Sequence, residues 1–461
     1  MQLSAFARHS ISAKPVRRRK QSEPIWLVIL GYLALISAGT MLLSLPIAED
    51  KFVPFIDNFF VATSAVCVTG LSTVDVGQVY SHFGHWVLLC LMQAGGLGIM
   101  AISTSLILLA GMRPGFGHQS VLMDQFSQEG NIAPKAVLKA VFPFMFGMEA
   151  LGLVVYFTQF PEENLYDRFF SALFQTVSSF CNVGFTLYPD SLVQFGMNWI
   201  VVVATAVLVL AGGFGFLAVA DLGCIFSSKK KVALHTKLAL LITVFFVVAG
   251  FIACLCFEFN NALGGKSLGY KALSAFSYSA ISRTAGLNLF DMSLLSGGAL
   301  WLTVIIMFIG ANPGSCGGGI KTTTAAVIFM LGLNRFRGRE KTQILGRTIP
   351  ADTVQKAVYI FLIAIIVITL ATFALLITET GARPYSESSG AFLRIFFEVV
   401  SAYSTCGLSL GITPELTTAG RALICLVMFI GRLGPLFLIS AVASREKDSG
   451  MWYSEENIMV G

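Results

Sequence analysis

Four short polar segments of this chain end on glycine in one frame: Val68-Thr69-Gly70, Asn182-Val183-Gly184, Thr284-Ala285-Gly286 and Thr405-Cys406-Gly407. Each glycine is followed by Leu or Phe and then by Ser, Thr or Asn, and each stands ten residues after a phenylalanine (Phe60, Phe174, Phe276, Phe397). Ser lies six residues before the glycine in three copies (Ser64, Ser178, Ser401), and Ala280 takes that place in the third. Intervals of 114, 102 and 121 residues between the glycines make the chain four divergent copies of one unit. The chemistry open to such segments is cation dehydration, in which converging backbone carbonyls replace hydration water. Glycine reaches the dihedral angles that aim carbonyls at a common axis, neighbouring hydroxyls can brace the loop, and the carboxyl end of a short helix adds negative potential. The pattern therefore predicts one cation site at the backbone of Gly70, Gly184, Gly286 and Gly407. Small residues also let membrane helices pack closely, but that alone does not call for matched Phe and Ser in four registered copies.

A second constellation interrupts the third copy. The run Ala311-Asn312-Pro313-Gly314-Ser315-Cys316-Gly317-Gly318-Gly319, followed by Ile320 and Lys321, puts a proline and four glycines inside an apolar stretch. Each glycine costs a helix about 1 kcal/mol and proline about 3, so a broken helix and a loop able to act as a gate are predicted. A phosphate-binding loop is excluded, because Ile320 separates the last glycine from Lys321 and no strand precedes the run. Arg432, directly after Gly431, lies mid-helix, where a charge costs at least roughly 2.5–3.5 kcal/mol. Beside a cation path it would raise the barrier, and it could equally tie helices or the loop through backbone carbonyls. Arg283 is expected to point behind its loop toward Glu398 or another acceptor, and Glu149 to serve helix packing or an interface. The pairs Gly95/Gly98, Gly212/Gly215 and Gly431/Gly434 read as close helix crossings, matched in the third copy by Gly310/Pro313.

These residues need elements to hold them. The chain is 55% apolar and only 12% charged, against about 25% charged in a soluble domain, which places it in lipid. Each copy reads as a long apolar run, a short semi-polar run ending at the glycine, and another long apolar run. The first runs are about 25–47, 138–160, 238–259 and 357–378, and the second about 86–111, 198–226, 299–333 and 420–443. The short runs near 55–69, 165–183, 270–285 and 391–406 suit half-helices that dip in and return as loops, since irregular backbone at membrane depth must line water or be packed in protein. The fold class is thus an all-α membrane protein of four tandem helix–re-entrant loop–helix repeats, with eight transmembrane helices around a pseudo-fourfold pore. Repeats are expected over 25–111, 112–226, 227–333 and 334–444, between a basic tail (1–24) and a carboxyl-terminal tail (445–461).

Most of the 31 Lys and Arg residues fall on the side of the termini, including Arg17–Arg19, Lys229–Lys231, Arg335, Arg337, Arg339 and Lys341; the opposite loops are mainly acidic. That bias puts both termini in the cytoplasm and the glycine loops outside. The first apolar run is long enough to span and shows no cleavage site, so it reads as an uncleaved helix. The nine cysteines, scattered through apolar segments, read as small hydrophobes.

TSAVCVTGLST, SRTAGLN, the PGSCGGGIKTT run and GRLGPL together resemble the superfamily of K+ transporters that includes the Trk, Ktr and plant HKT proteins. The resemblance covers the chain from about Ile25 onward and is strongest to the membrane subunits of bacterial Ktr systems. It implies K+ as the transported ion, because glycine at all four positions goes with K+ preference. It further implies Na+-dependent uptake, a homodimer with a pore in each protomer, and a cytosolic ring of nucleotide-binding RCK-type (KtrA-like) regulatory subunits in a bacterial plasma membrane. The basic loops around 229–237 and 335–347 are candidate docking surfaces for that ring. No organic cofactor is implied and nothing points to nucleic acid. A Na+- or ammonium-permeable channel of the same fold is the alternative. A membrane enzyme is excluded by the lack of an HExxH motif, an intramembrane Asp pair or a Ser/His constellation.

Overall fold

The computed structural model describes residues 22–98, 134–215, 218–221, 233–289, 292–381, 384 and 390–434. The expected termini, the cluster Lys229–Lys231 and the ends of three second runs lie outside these residues. Within them the chain is helical apart from one hairpin, β1 (Gln343–Ile344) with β2 (Arg347–Thr348).

The same sequence of elements recurs four times. A first helix, α1 (Ser22–Leu43), leads to a short helix α2 (Phe55–Cys67), a loop carrying Gly70, the single turn α3 (Val76–Val79) and a second helix α4 (His82–Leu97). The next copies are α5 (Pro134–Gln159), α6 (Leu165–Phe180) and α7 (Trp199–Gly213), then α8 (Leu234–Glu258), α9 (Leu268–Ile281) and α10 (Gly297–Phe308) with its continuation α11 (Thr322–Phe336). The last is α12 (Ala351–Thr380), α13 (Ala391–Ser404) and α14 (Thr418–Leu433). Short polar residues start every second helix. Ser81, Asn198, Ser296 and Thr417 each accept a backbone N–H of the first turn through the side chain, which satisfies donors that have no partner inside the helix.

Of the described helices, three are long and apolar enough to cross a membrane: Val141–Gln159, Leu234–Glu258 and Ala351–Thr380. Their outward faces carry exposed Leu240, Leu241, Val244, Phe245 and Val248 on α8, and Leu362, Ile366, Leu370 and Phe373 on α12. An apolar surface of that extent requires a lipid or protein cover. The second helices are shorter than the runs in the sequence. The described helices end at Leu97, Gly213, Phe308 and Leu433, and Gly98, Gly215 and Gly434 follow three of them with positive φ.

Within each copy the first helix packs on the short helix. Between copies the second helix packs on the next short helix: α4 on α6, α7 on α9, α10 on α13, and α14 back on α2. The chain therefore closes into a ring of four units around one shared core.

Candidate cation site and the loop beside it

The four marked glycines meet at the centre of that ring. A methyl group added to Gly70 would fall closer than 3.0 Å to the Val183 carbonyl oxygen, one on Gly184 to that of Ala285, one on Gly286 to that of Cys406, and one on Gly407 to that of Thr69. The added carbon would also lie 3.2, 3.3, 2.8 and 3.2 Å from the Cα of the next glycine in the cycle. All four glycines hold positive φ, at 90°, 97°, 60° and 88°. Glycine is thus required twice at each point, by the dihedral angle and by a neighbouring backbone with no room for Cβ. The carbonyl oxygens of Thr69, Val183, Ala285 and Cys406 sit in the four seams. No acidic side chain belongs to this set, so a cation there would be met by backbone dipoles.

Three of the loops close by one shared pattern of local bonds. Thr69 donates to the Ser64 carbonyl (2.8 Å), Val183 to Ser178 (2.9 Å) and Cys406 to Ser401 (2.9 Å), five residues back in each case. Val68, Asn182 and Thr405 adopt left-handed dihedrals just before these bonds. This is the 6→1 closure that ends a helix on a left-handed residue. A left-handed Val or Thr costs about 1–2 kcal/mol, which the surrounding bonds must offset. The serine six before the glycine belongs to the same device. Ser64 Oγ accepts the Gly70 N–H (3.0 Å), Ser178 Oγ donates to the Phe185 carbonyl (2.6 Å), and buried Ser401 Oγ has no partner. The phenylalanines anchor the short helices: Phe60, Phe174 and Phe397 are buried, Phe276 partly so.

The first glycine of each second-helix pair is a close crossing, as the spacing predicts. A Cβ on Gly95, Gly212 or Gly431 would strike the carbonyl oxygen of Val66, Phe180 or Tyr403, each four residues before its loop glycine. In the third copy Gly310 faces the Gly318 carbonyl instead, because the helix stops at Phe308 and an irregular segment begins.

That segment, 309–321, lies on the short-helix side of the glycine ring. Its ends are pinned by a bridge between Ile309 and Ile320. Asn312 Nδ2 donates to the Phe214 carbonyl (3.1 Å) and Thr243 (3.2 Å), and Thr322 donates to Asn312 Oδ1 (2.5 Å). Ala311 accepts from the Thr322 N–H, and Pro313 lies against Gly215. Ser315 Oγ bonds the Asn312 carbonyl (2.5 Å), and Lys321 Nζ bonds the Gly317 carbonyl (2.5 Å). The Gly318 N–H donates to Thr405 Oγ1 (2.9 Å), and a Cβ on Gly317 or Gly319 would press on Thr284 or Ser404. Gly314 takes positive φ, 67°. Arg432 donates to the carbonyls of Cys316 and Gly95, so it ties the segment to α4 across the ring. The predicted filter and gate residues are thereby brought into one assembly.

Two expectations become specific. Arg283 does not reach Glu398. Its Nη2 donates to the Gly310 carbonyl (3.0 Å), while the buried Glu398 accepts from Ser409 Oγ (2.8 Å) and Thr413 Oγ1. Glu149 is a packing carboxylate that accepts from Gln93 Nε2 (2.8 Å). Gln93, a lone amide in the apolar run of α4, also accepts the Cys181 thiol (3.6 Å); its polarity there was the signal by which it could have been found.

The chain matches the cation transport protein family TrkH over residues 5–451. It belongs to that family. It is 33% identical over 451 residues to the Ktr system potassium uptake protein B of Vibrio alginolyticus, covering 96% of each chain. It is also 33% identical to the potassium/sodium uptake protein NtpJ of Enterococcus hirae, covering 96% of this chain and 99% of the relative. Its fold is similar to the crystal structure of the potassium transporter TrkH from Vibrio parahaemolyticus, with TM-score 0.73 at 18% identity, over 94% of this chain and 86% of that one.

Proposed function

We propose that this chain is the membrane subunit of a K+ uptake system, and that K+ passes through the ring of Gly70, Gly184, Gly286 and Gly407. The observation that carries the reading is the closed cycle of glycine-to-carbonyl contacts among four loops distant in sequence. A ring of neutral carbonyl oxygens suits a monovalent cation that sheds its water. The Val68, Asn182, Thr284 and Thr405 positions form the inner shoulder of the path. Segment 311–321 with Arg432 acts as the gate, since it rests on Thr284 and Thr405 and brings a guanidinium under the ring. Inward flow draws on the membrane potential, about 2.3 kcal/mol per charge per 100 mV.

The Vibrio alginolyticus relative is named as part of a Ktr system. Membership of a system fits a partner subunit, here a cytosolic RCK-type regulatory ring beneath a homodimer; the bias of Lys and Arg along the sequence favours cytoplasmic termini. Dependence on Na+ fits the relative named for potassium and sodium uptake, which also favours a second reading, a Na+-permeable path of the same fold. Changing Gly286 to Ser and measuring K+ and Na+ uptake in cells lacking other K+ uptake distinguishes the two. A fall in apparent K+ affinity and K+/Na+ preference is expected; unchanged values for both ions would remove the filter assignment.

A further inference from the structure

The third glycine loop is built differently from the other three. Its −6 position is Ala280 rather than serine. Ala285 bonds the Ile281 carbonyl, four residues back (3.1 Å), rather than five, and Thr284 is absent from the left-handed residues that close the other loops. In the other copies a glycine of the copy's own second helix rests on the carbonyl four before the loop glycine; here that residue is Ser282, whose carbonyl instead accepts the Cys406 thiol of the fourth loop (3.1 Å). A cavity of about 10 Å³, lined by Ala280, Arg283, Thr284, Gly213 and Thr243, lies behind the loop. So this loop lacks the left-handed 6→1 closure and the second-helix glycine found in the other three, and the serine that braces the first two.

Segment 309–321 takes their place. Arg283, 4% exposed, sends Nη2 out of the loop to the Gly310 carbonyl (3.0 Å), the first residue after the helix break but one. Its guanidinium lies 5.7 Å from the Phe246 ring centroid on α8, which limits where it can turn. Gly317 approaches from the far end of the segment, where an added Cβ would sit 3.1 Å from Thr284 Cγ2. A charge-assisted bond in a site closed to water is among the stronger single contacts available, and Arg283 Nε has no partner that would compete for the side chain.

We infer that Arg283 is a positioning residue that makes the conformation of the third glycine loop conditional on the gate segment, so that gate position sets ion affinity and preference as well as access. The inference rests on the filter reading given above. When the segment moves, loops one, two and four keep their 6→1 closures; loop four loses only the Gly318-to-Thr405 bond, whereas the third loop loses the tie that stands in for its closure.

The test measures half-saturating K+ and K+/Na+ preference for uptake in cells lacking other K+ uptake, with membrane levels of each variant checked. Arg283→Gln should raise half-saturating K+ about tenfold or more, the effect of losing one hydrogen bond from a charged donor. Arg283→Lys, which keeps a donor, should restore most of it. Gly317→Ala, which presses on Thr284 and on Ala311 beside the carbonyl that Arg283 holds, should also lower affinity and preference. A purely structural role for Arg283 would reduce maximal uptake and membrane level while leaving affinity unchanged. Gly286→Ser serves as the reference. If it shifts affinity while Arg283→Gln and Gly317→Ala do not, the coupling is overturned and the filter stands. If Arg283→Gln fails to reach the membrane, Gly317→Ala decides alone. If Gly286→Ser itself has no effect, the filter reading falls, and with it the coupling.

Discussion

Arg421 on α14 donates from Nη1 to Asp57 Oδ1 on the short helix α2 at 2.6 Å, across 364 residues of chain. Asp57 is almost fully buried and Arg421 partly so. Arg421 Nη2 also bonds the Pro414 carbonyl (3.0 Å). The pair fastens the fourth copy to the first, where the ring has no covalent connection.

Breaking this pair should loosen the whole assembly. Arg421→Ala or Asp57→Ala leaves one partner poorly solvated and should cost roughly 1–3 kcal/mol, between the values for exposed and fully buried pairs. The measurement is the thermal midpoint of the detergent-purified protein. Midpoints equal to wild type would show that helix packing alone closes the ring.

The serines at one repeat position should differ in effect. Ser64 Oγ holds the Gly70 N–H, whereas Ser401 Oγ holds nothing. Loss of one hydrogen bond to a buried donor is worth about 1 kcal/mol, or roughly fivefold in affinity. Ser64→Ala should therefore raise half-saturating K+ by about that factor, with Ser401→Ala close to wild type. Equal effects from the two would contradict the bonding described.

Glycines within a second-helix pair should also part company. Gly431 lies against the Tyr403 backbone, while a Cβ on Gly434 meets nothing within 4 Å among the described residues and its φ is 82°. Gly431→Ala should abolish uptake or assembly, because backbone cannot yield. Gly434→Ala should cost only the dihedral strain of about 1–2 kcal/mol and remain active. Uptake assays with membrane blots read both.

Arg432→Ala removes the tie between the gate segment and α4 without touching the Arg283 bond. Maximal uptake should rise about fivefold, corresponding to a barrier lower by about 1 kcal/mol, and half-saturating K+ should rise with it, because a segment that moves more freely holds the third loop less. Deleting 314–319 should raise maximal uptake too, and it also removes Gly317 from Thr284, so affinity should fall further. A drop in maximal uptake for Arg432→Ala would remove it from the gate.

Much of this protein is legible in the chain itself. Four glycines in register, each with its phenylalanine and most with a serine, locate the loops, since a repeated unit must solve one local problem four times. Proline and clustered glycines foretell the break after Phe308, because helix propensity is a local property. The apolar fraction and the long outward faces follow from composition. Tertiary structure decided what faces what. Arg283 could have met any acceptor behind its loop; the carbonyl of Gly310 took it because the third second helix stops there and exposes unbonded backbone. Asp57 and Arg421 carry no sequence signal of their pairing, since ring closure alone brings them together. The reason is general to such a fold. Repeats announce which residues share a role, but a contact between repeats depends on the order of packing around the axis, which no single segment contains.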